Sequence, residues 1–335
     1  MTDRTITGKI VAGAVATVAG IGALSMAANA QSGGGQSYDG DHVRVENFIG
    51  RVEIRTGGSD IRVEIRNPGD VAEDPVASGS RNGVTIDGGQ SVRNLNCRTR
   101  NNEIRIGRRF ATHSIDEYPT LVITAPDSIT FELDDSAFVG QAGDLGALNL
   151  SMNSCGRFEA GAIDREAEIR INGSGDVTVR DIGGDADIAI NGSGDVVAGT
   201  VGGRIHVGIN GSGDVETGEV RGDSEVDING SGDVEFARVA GLDVDISGSG
   251  DVVVGSMDGA FNAGIAGSGD ITVRRGQAQP FEADINGSGD ISFGGTATDV
   301  RIREGGGGDV EIAEIEGSID WRRNGRTVLR SGGSK

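Results

Sequence analysis

Between Ala167 and Val310 apolar residues recur at alternate positions in short runs, and glycine-rich polar turns separate one run from the next. Ala167, Ile169 and Ile171 make one run, Val177 and Val179 the following one, and Gly-Ser-Gly-Asp stands between them. A period of two over so few residues predicts short strands with one face buried. The pattern then repeats. Ile171-Asn172-Gly173-Ser174-Gly175-Asp176-Val177 returns as Asn191 to Val196, Asn210 to Val215, Asn229 to Val234, Ser247 to Val252, Ala266 to Ile271 and Asn286 to Ile291, with a degenerate copy at Gly306 to Val310. Successive aspartates fall 18–20 residues apart. One step earlier, Met152 to Phe158 fits the same frame with Arg157 in the aspartate slot.

A unit this short cannot bury its apolar face alone, whereas neighbours stacked along an axis can, each strand pairing with its equivalent one coil away. A coil that returns to the same parallel sheet is a crossover connection, and such connections are right-handed in about 98% of cases. The expected fold is therefore all-β: a right-handed parallel β-helix, or solenoid, of 19-residue coils over residues 131–317. Ala186, Ile188, Ile190, Val196, Ala198 and Val201 repeat the apolar slots of the preceding unit and should align as interior columns.

Outside the repeats the pattern changes. Residues 38–130 alternate without a clean period and read as a β-rich N-terminal cap, because an open coil end invites end-to-end pairing and needs an atypical unit. Asn324-Gly325 between Ile319-Asp320-Trp321 and Val328-Leu329 reads as a hairpin closing the other end within residues 318–335. At the start, Arg4 and Lys9 precede an apolar stretch from Ile10 to Met26 that runs into Ala28-Asn29-Ala30, a pattern for signal-peptidase cleavage after Ala30. Residues 31–37 would then be a flexible linker, and the exported protein would not span a membrane. Mass spectrometry of the exported protein should find Gln31 at its N-terminus; an intact Met1 in the envelope fraction would point to an anchor instead.

Composition narrows the picture. Glycine is abundant, with 59 residues, while aromatic residues make up 4%, which suits thin repetitive sheets rather than a bulky core. The net charge of −21 makes nucleic acid an unsuitable partner, because phosphate contacts need Lys and Arg. The charge is uneven: residues 40–115 carry +2 and residues 116–317 carry −27. The cap arginines are read as charge protecting strand edges, with docking on an anionic envelope component as the other reading.

The leader, the irregular β region, Leu121-Val122-Ile123-Thr124-Ala125-Pro126 leading into the coils, and the iterated Gly-Ser-Gly-Asp-Val together resemble the autotransporter-adhesin head GIN domain family over residues 40–320. The resemblance implies a β-helix in the bacterial envelope, periplasmic or on the surface, with an adhesive or surface-interaction role. It brings no catalytic residues and no cofactor. After Val310 only about 25 residues remain, too few for a translocator barrel of many ~10-residue strands.

Among candidate chemical groups, the column Asp176, Asp195, Asp214, Asp233, Asp251, Asp270 and Asp290 is the sharpest. One carboxylate per coil could hold calcium, yet calcium takes six to eight oxygens, so the preferred reading has each aspartate accepting hydrogen bonds within its own turn. Asn172, Asn191, Asn210, Asn229 and Asn286 each open an Asn-Gly-Ser sequon, and a hydrogen-bonded amide ladder explains that column without a sugar. Cys97 and Cys155 could form a disulfide in an oxidising compartment or remain as two buried thiols. His42, His113 and His206 are scattered, and no nucleophile elbow or zinc motif is present. A polysaccharide-active enzyme using paired carboxylates is the enzymatic alternative, weakened because no Tyr or Trp lies within the repeats. The expected function is non-enzymatic, with a calcium-binding surface protein as a further alternative. The expected partner is an unidentified envelope or surface component.

Overall fold

Residues 35–331, apart from 101, 102, 109 and 110, are described by a computed structural model. The leader with its expected cleavage after Ala30 and residues 332–335 lie outside them. Each 19-residue unit folds as one coil. Strand Ala167–Gly173 buries Ala167, Ile169 and Ile171 and turns Glu168, Arg170 and Asn172 outward. The chain bends at Ser174 and Gly175, then Asp176–Val179 buries Val177 and Val179.

Both kinds of strand stack in parallel and in register. Ile169 pairs with Ile188, which pairs with Val207; Val177 pairs with Val196, which pairs with Val215. A third side closes each coil where the alternation showed only two strands. It is a single inward residue, and Leu145, Ile163, Ile182, Val201 and Val220 form isolated parallel bridges up the stack. One residue has no alternation to display, which is why this side is invisible in the pattern.

The interior is a set of columns. Ile171, Ile190, Ile209, Ile228, Ile246, Ile265 and Ile285 are each at most 1% exposed. Full burial of such a side chain stabilises by about 1.5–3 kcal/mol, so aliphatic columns carry most of the repeats' core, with Phe236 as a buried aromatic midway along them. The buried phenylalanines gather toward the two ends: Phe131 and Phe138 pack against Phe158, and Phe261, Phe281 and Phe293 form a second cluster with ring centroids 4.6–5.9 Å apart.

The N-terminal cap is assembled out of chain order. His42–Glu46 and Ile49–Thr56 make a coil that pairs on one side with Thr130–Ala142, the first strand of the regular stack. Its other side is covered by later segments, Gly83–Asp87 on His42–Glu46 and Thr120–Ala125 on Ile49–Thr56, again parallel. Antiparallel strands then end the stack: Ile61–Arg66 on Thr120–Ala125, Gln36–Tyr38 on Ile61–Arg66, and Val76–Gly79 on Gly83–Asp87. Among the described residues the first strand thus begins at Gln36, inside the segment expected to be a linker.

Asn96–Arg100, Glu103–Arg108 and Ala111–Ser114 form a separate three-stranded antiparallel sheet over a small core around Ile106, Ile115 and Tyr118. Cys97 on this sheet is joined to Cys155, which precedes strand Arg157–Ala160, with the Cα atoms 6.1 Å apart. The bridge closes 58 residues of chain and ties the small sheet to the stack. Replacing both cysteines by serine should cost about 2–4 kcal/mol in urea unfolding while leaving the strand content unchanged; an unaltered midpoint would show that the bridge constrains nothing.

At the other end Val310–Arg323 and Arg326–Ser331 form the hairpin, with Asn324 and Gly325 at φ of 49° and 74°, the pair of left-handed residues that a type I′ turn requires. Here the isoleucine column stops. Glu304 takes the slot after Ile285 and is 2% exposed. Its carboxylate receives the Arg323 guanidinium from the following coil, which also reaches Asp309. An inward-pointing charge is a recognised way to stop a sheet from recruiting further strands.

Candidate functional site

Two surfaces are built by the repeat, and the first is the Gly-Ser-Gly-Asp edge. Its glycines are required by close stacking: Gly192 has φ of +152°, and a Cβ there would lie 2.0 Å from the Gly173 carbonyl oxygen. Between the glycines, Ser174, Ser193 and Ser212 point to solvent. From Asp195 through Asp290, each aspartate Oδ1 accepts a hydrogen bond from the backbone N–H of the aspartate one coil on, at 2.8–3.0 Å, and Asp309 donates the last of them. The partner is therefore the next coil and not the residue's own turn as the sequence suggested. The reason is that in-register stacking aims the next amide at the carboxylate. The chain's copy with Arg157 in this slot places that guanidinium 3.9 Å from Asp176.

Asp176, Asp195, Asp214, Asp233, Asp251, Asp270 and Asp290 thus form one line, and from Asp195 to Asp290 each lends an oxygen to the ladder. Burial pushes the carboxyls of Asp195 and Asp233 above the usual range; the amide bond from the next coil opposes this, and the neighbouring aspartates reinforce it. The sign follows. With the folded value raised, the folded state holds more protons than the unfolded chain in the window just above the ordinary value, so stability falls as pH rises through that window. In low salt, these two groups should therefore add a rising component to the melting temperature on going from about pH 6 to about pH 4, and Asp195→Asn with Asp233→Asn should remove that part of the slope. A slope unchanged by the double substitution would remove the ladder as its cause. Calcium and magnesium should raise melting equally and slightly, because a line of exposed carboxylates is screened by any divalent cation. A large calcium-selective rise would instead assign calcium to this edge.

The asparagine column is a ladder over part of its length. Asn172 Nδ2 donates to Asn153 Oδ1, Asn191 to Asn172 and Asn210 to Asn191, at 3.0–3.3 Å. Asn286 donates instead to Asp284, two residues earlier on the strand that precedes it.

The second surface was not singled out from the sequence. It is the outward column Glu168, Asp187, His206, Glu225, Asp243 and Asn262, paired in register across six coils. With the neighbouring turn residues it lines a shallow trough of about 800 Å³, floored by Ala167, Ala186, Ile205 and Leu242. Carboxylates dominate its walls, with Arg204 and His206 as the cationic or potentially cationic side chains. The Arg204 backbone N–H donates to Asp185 at 2.8 Å, and this bond, ahead of the guanidinium's own pull, holds the Asp185 carboxyl below its ordinary range. Asn262 donates to Asp243 at 2.8 Å. Farther along the face, burial and then Asp243, Asp227 and Glu225 push the Asp245 carboxyl up. The signal for this surface was present as position: His206 lies 19 residues from both Asp187 and Glu225, the interval of a coil.

Five of the cap arginines are engaged with acids. Arg44 contacts Glu46, Glu132 and Asp134; Arg51 pairs with Asp116, Arg55 with Glu53, Arg66 with Glu64 and Arg105 with Glu103. No helix among the described residues is long and apolar enough to cross a membrane, which does not bear on crossing by strands.

A sequence model of the family described as "Putative auto-transporter adhesin, head GIN domain" matches residues 75–256 and 255–318. No curated protein and no solved structure matches the chain.

Proposed function

The chain belongs to the "Putative auto-transporter adhesin, head GIN domain" family, and on that premise we propose that it is an exported, non-enzymatic protein of the bacterial envelope that acts by presenting its repeated surface to another envelope or surface component. The observation that carries this reading is the sameness of the columns. Every coil from Asp195 to Asp290 offers one aspartate held by the same backbone bond. A catalytic site needs unlike groups converging on one place, whereas identical groups on a rigid stack suit multivalent contact, in which many weak sites add. The family supports a surface location. The leader read from residues 1–30 supports export.

Fractionation of cells making the full chain tests the reading, with and without protease treatment of intact cells. The protein should be found in the envelope or periplasmic fraction. A cytosolic protein retaining Met1 would overturn the proposal.

A further inference from the structure

In the acidic trough, three metal-type donors from two adjacent coils meet. His206 is aligned with Glu225, and Gly208 with Asp227, on neighbouring strands. Because Gly208 has no side chain, the imidazole of His206 can lie along its strand, with Nε2 4.0 Å from where a Gly208 Cβ would stand. The ring therefore reaches diagonally toward Asp227. One donor atom from each of His206, Glu225 and Asp227 lies within 4.8 Å of the others.

The His206 Nδ1 atom is the telling one. It is shielded from solvent and makes no hydrogen bond within the protein. The Glu225 carboxylate stands 3.6 Å away, too far for a hydrogen bond. That separation is close to the distance between two ligands of one tetrahedral zinc ion, which at bond lengths of about 2.0–2.1 Å lie about 3.4 Å apart. Leaving such a nitrogen unpaired is costly, and an ion between it and the carboxylates would satisfy all three groups at once.

We propose that His206, Glu225 and Asp227 form a binding site for a borderline divalent cation of the zinc type. One imidazole and two carboxylates match zinc's preference for mixed nitrogen and oxygen donors, whereas calcium takes oxygen ligands only and more of them. Exposed carboxylates close the remaining distance by changing rotamer. Three protein ligands leave a fourth position open toward solvent, free for water or for a donor on another molecule. The aspartate edge plays no part in this site, and the inference stands apart from the envelope reading.

Titration of the untagged full chain with zinc ion alone, and separately with calcium ion, tests it. Zinc should bind with one equivalent per chain and more tightly than calcium. His206→Gln, Glu225→Gln and Asp227→Asn should each weaken zinc binding by at least about tenfold, a loss that even outer-shell changes produce at metal sites. These side chains face outward, so circular dichroism should show each variant folded. Asp214→Asn, on the other edge, should leave zinc affinity unchanged. Absence of zinc binding by the folded wild-type chain would overturn the proposal. So would zinc affinity indifferent to His206→Gln, or a preference for calcium.

Discussion

Replacing Arg323 by methionine is expected to lower the urea-unfolding midpoint of the folded chain clearly, because the substitution leaves the buried Glu304 carboxylate without its half-exposed partner. The pair is the point where the interior changes character. Through Ile285 the column is isoleucine, and the next slot holds Glu304, 2% exposed, bonded to Arg323 across the last coil boundary. The bond to Glu304 is also the leading reason that the Arg323 guanidinium holds its proton even more firmly than usual. The double variant Glu304→Ile/Arg323→Met separates stability from specificity. Buried ion pairs are often replaced by apolar groups without loss, so the double variant should recover most of the stability lost by the single one. It should also associate more, since the inward charge that discourages further stacking is gone. Urea unfolding reads the first effect and sedimentation the second. A single variant as stable as the parent would show that the pair does not hold the cap.

The other large effect is expected at the stacked glycines. Gly211 has φ of +155°, and a Cβ there would lie 2.0 Å from the Gly192 carbonyl oxygen. Gly211→Ala should therefore cost about 2–6 kcal/mol, combining a disfavoured backbone conformation with an overpacked contact between coils. Gly307 provides the control. It occupies the serine slot of the last copy, and a Cβ there would meet nothing within 4 Å. Gly307→Ala should be neutral or stabilise by up to about 1 kcal/mol through the unfolded chain. Equal effects at the two positions would mean that the coils do not stack as closely as described.

The stacked coils could be read from the sequence because the same residues solve the same problem in every unit. Ile171 and Ile190 must fill successive levels of one column, so their spacing is also the coil length. The Asn324-Gly325 hairpin was legible for a similar local reason, a two-residue turn with a strong conformational signature. Other features depend on partners that alternation does not name. Nothing in Val84 and Ile86 says that Gly83–Asp87 will cover His42–Glu46 from outside, since a parallel partner can come from anywhere in the chain. The aspartate bonds were misassigned to their own turns because the true donor is one coil away. The site at His206 escaped notice because its three side chains sit on two coils and meet only once register is fixed.

The central claim is that the repeated coils act together and interchangeably as a presented surface. It is tested most directly by deleting one complete unit at a time, for instance 181–199, and measuring retention of the purified protein on the cells that make it, in buffer containing a chelator. Removing a whole unit preserves the register of the flanking strands, so each variant should keep its β-sheet circular dichroism, and retention should decline gradually whichever of the units is removed. A single indispensable coil, with all the shortened proteins still folded, would contradict the account and point to one localised site.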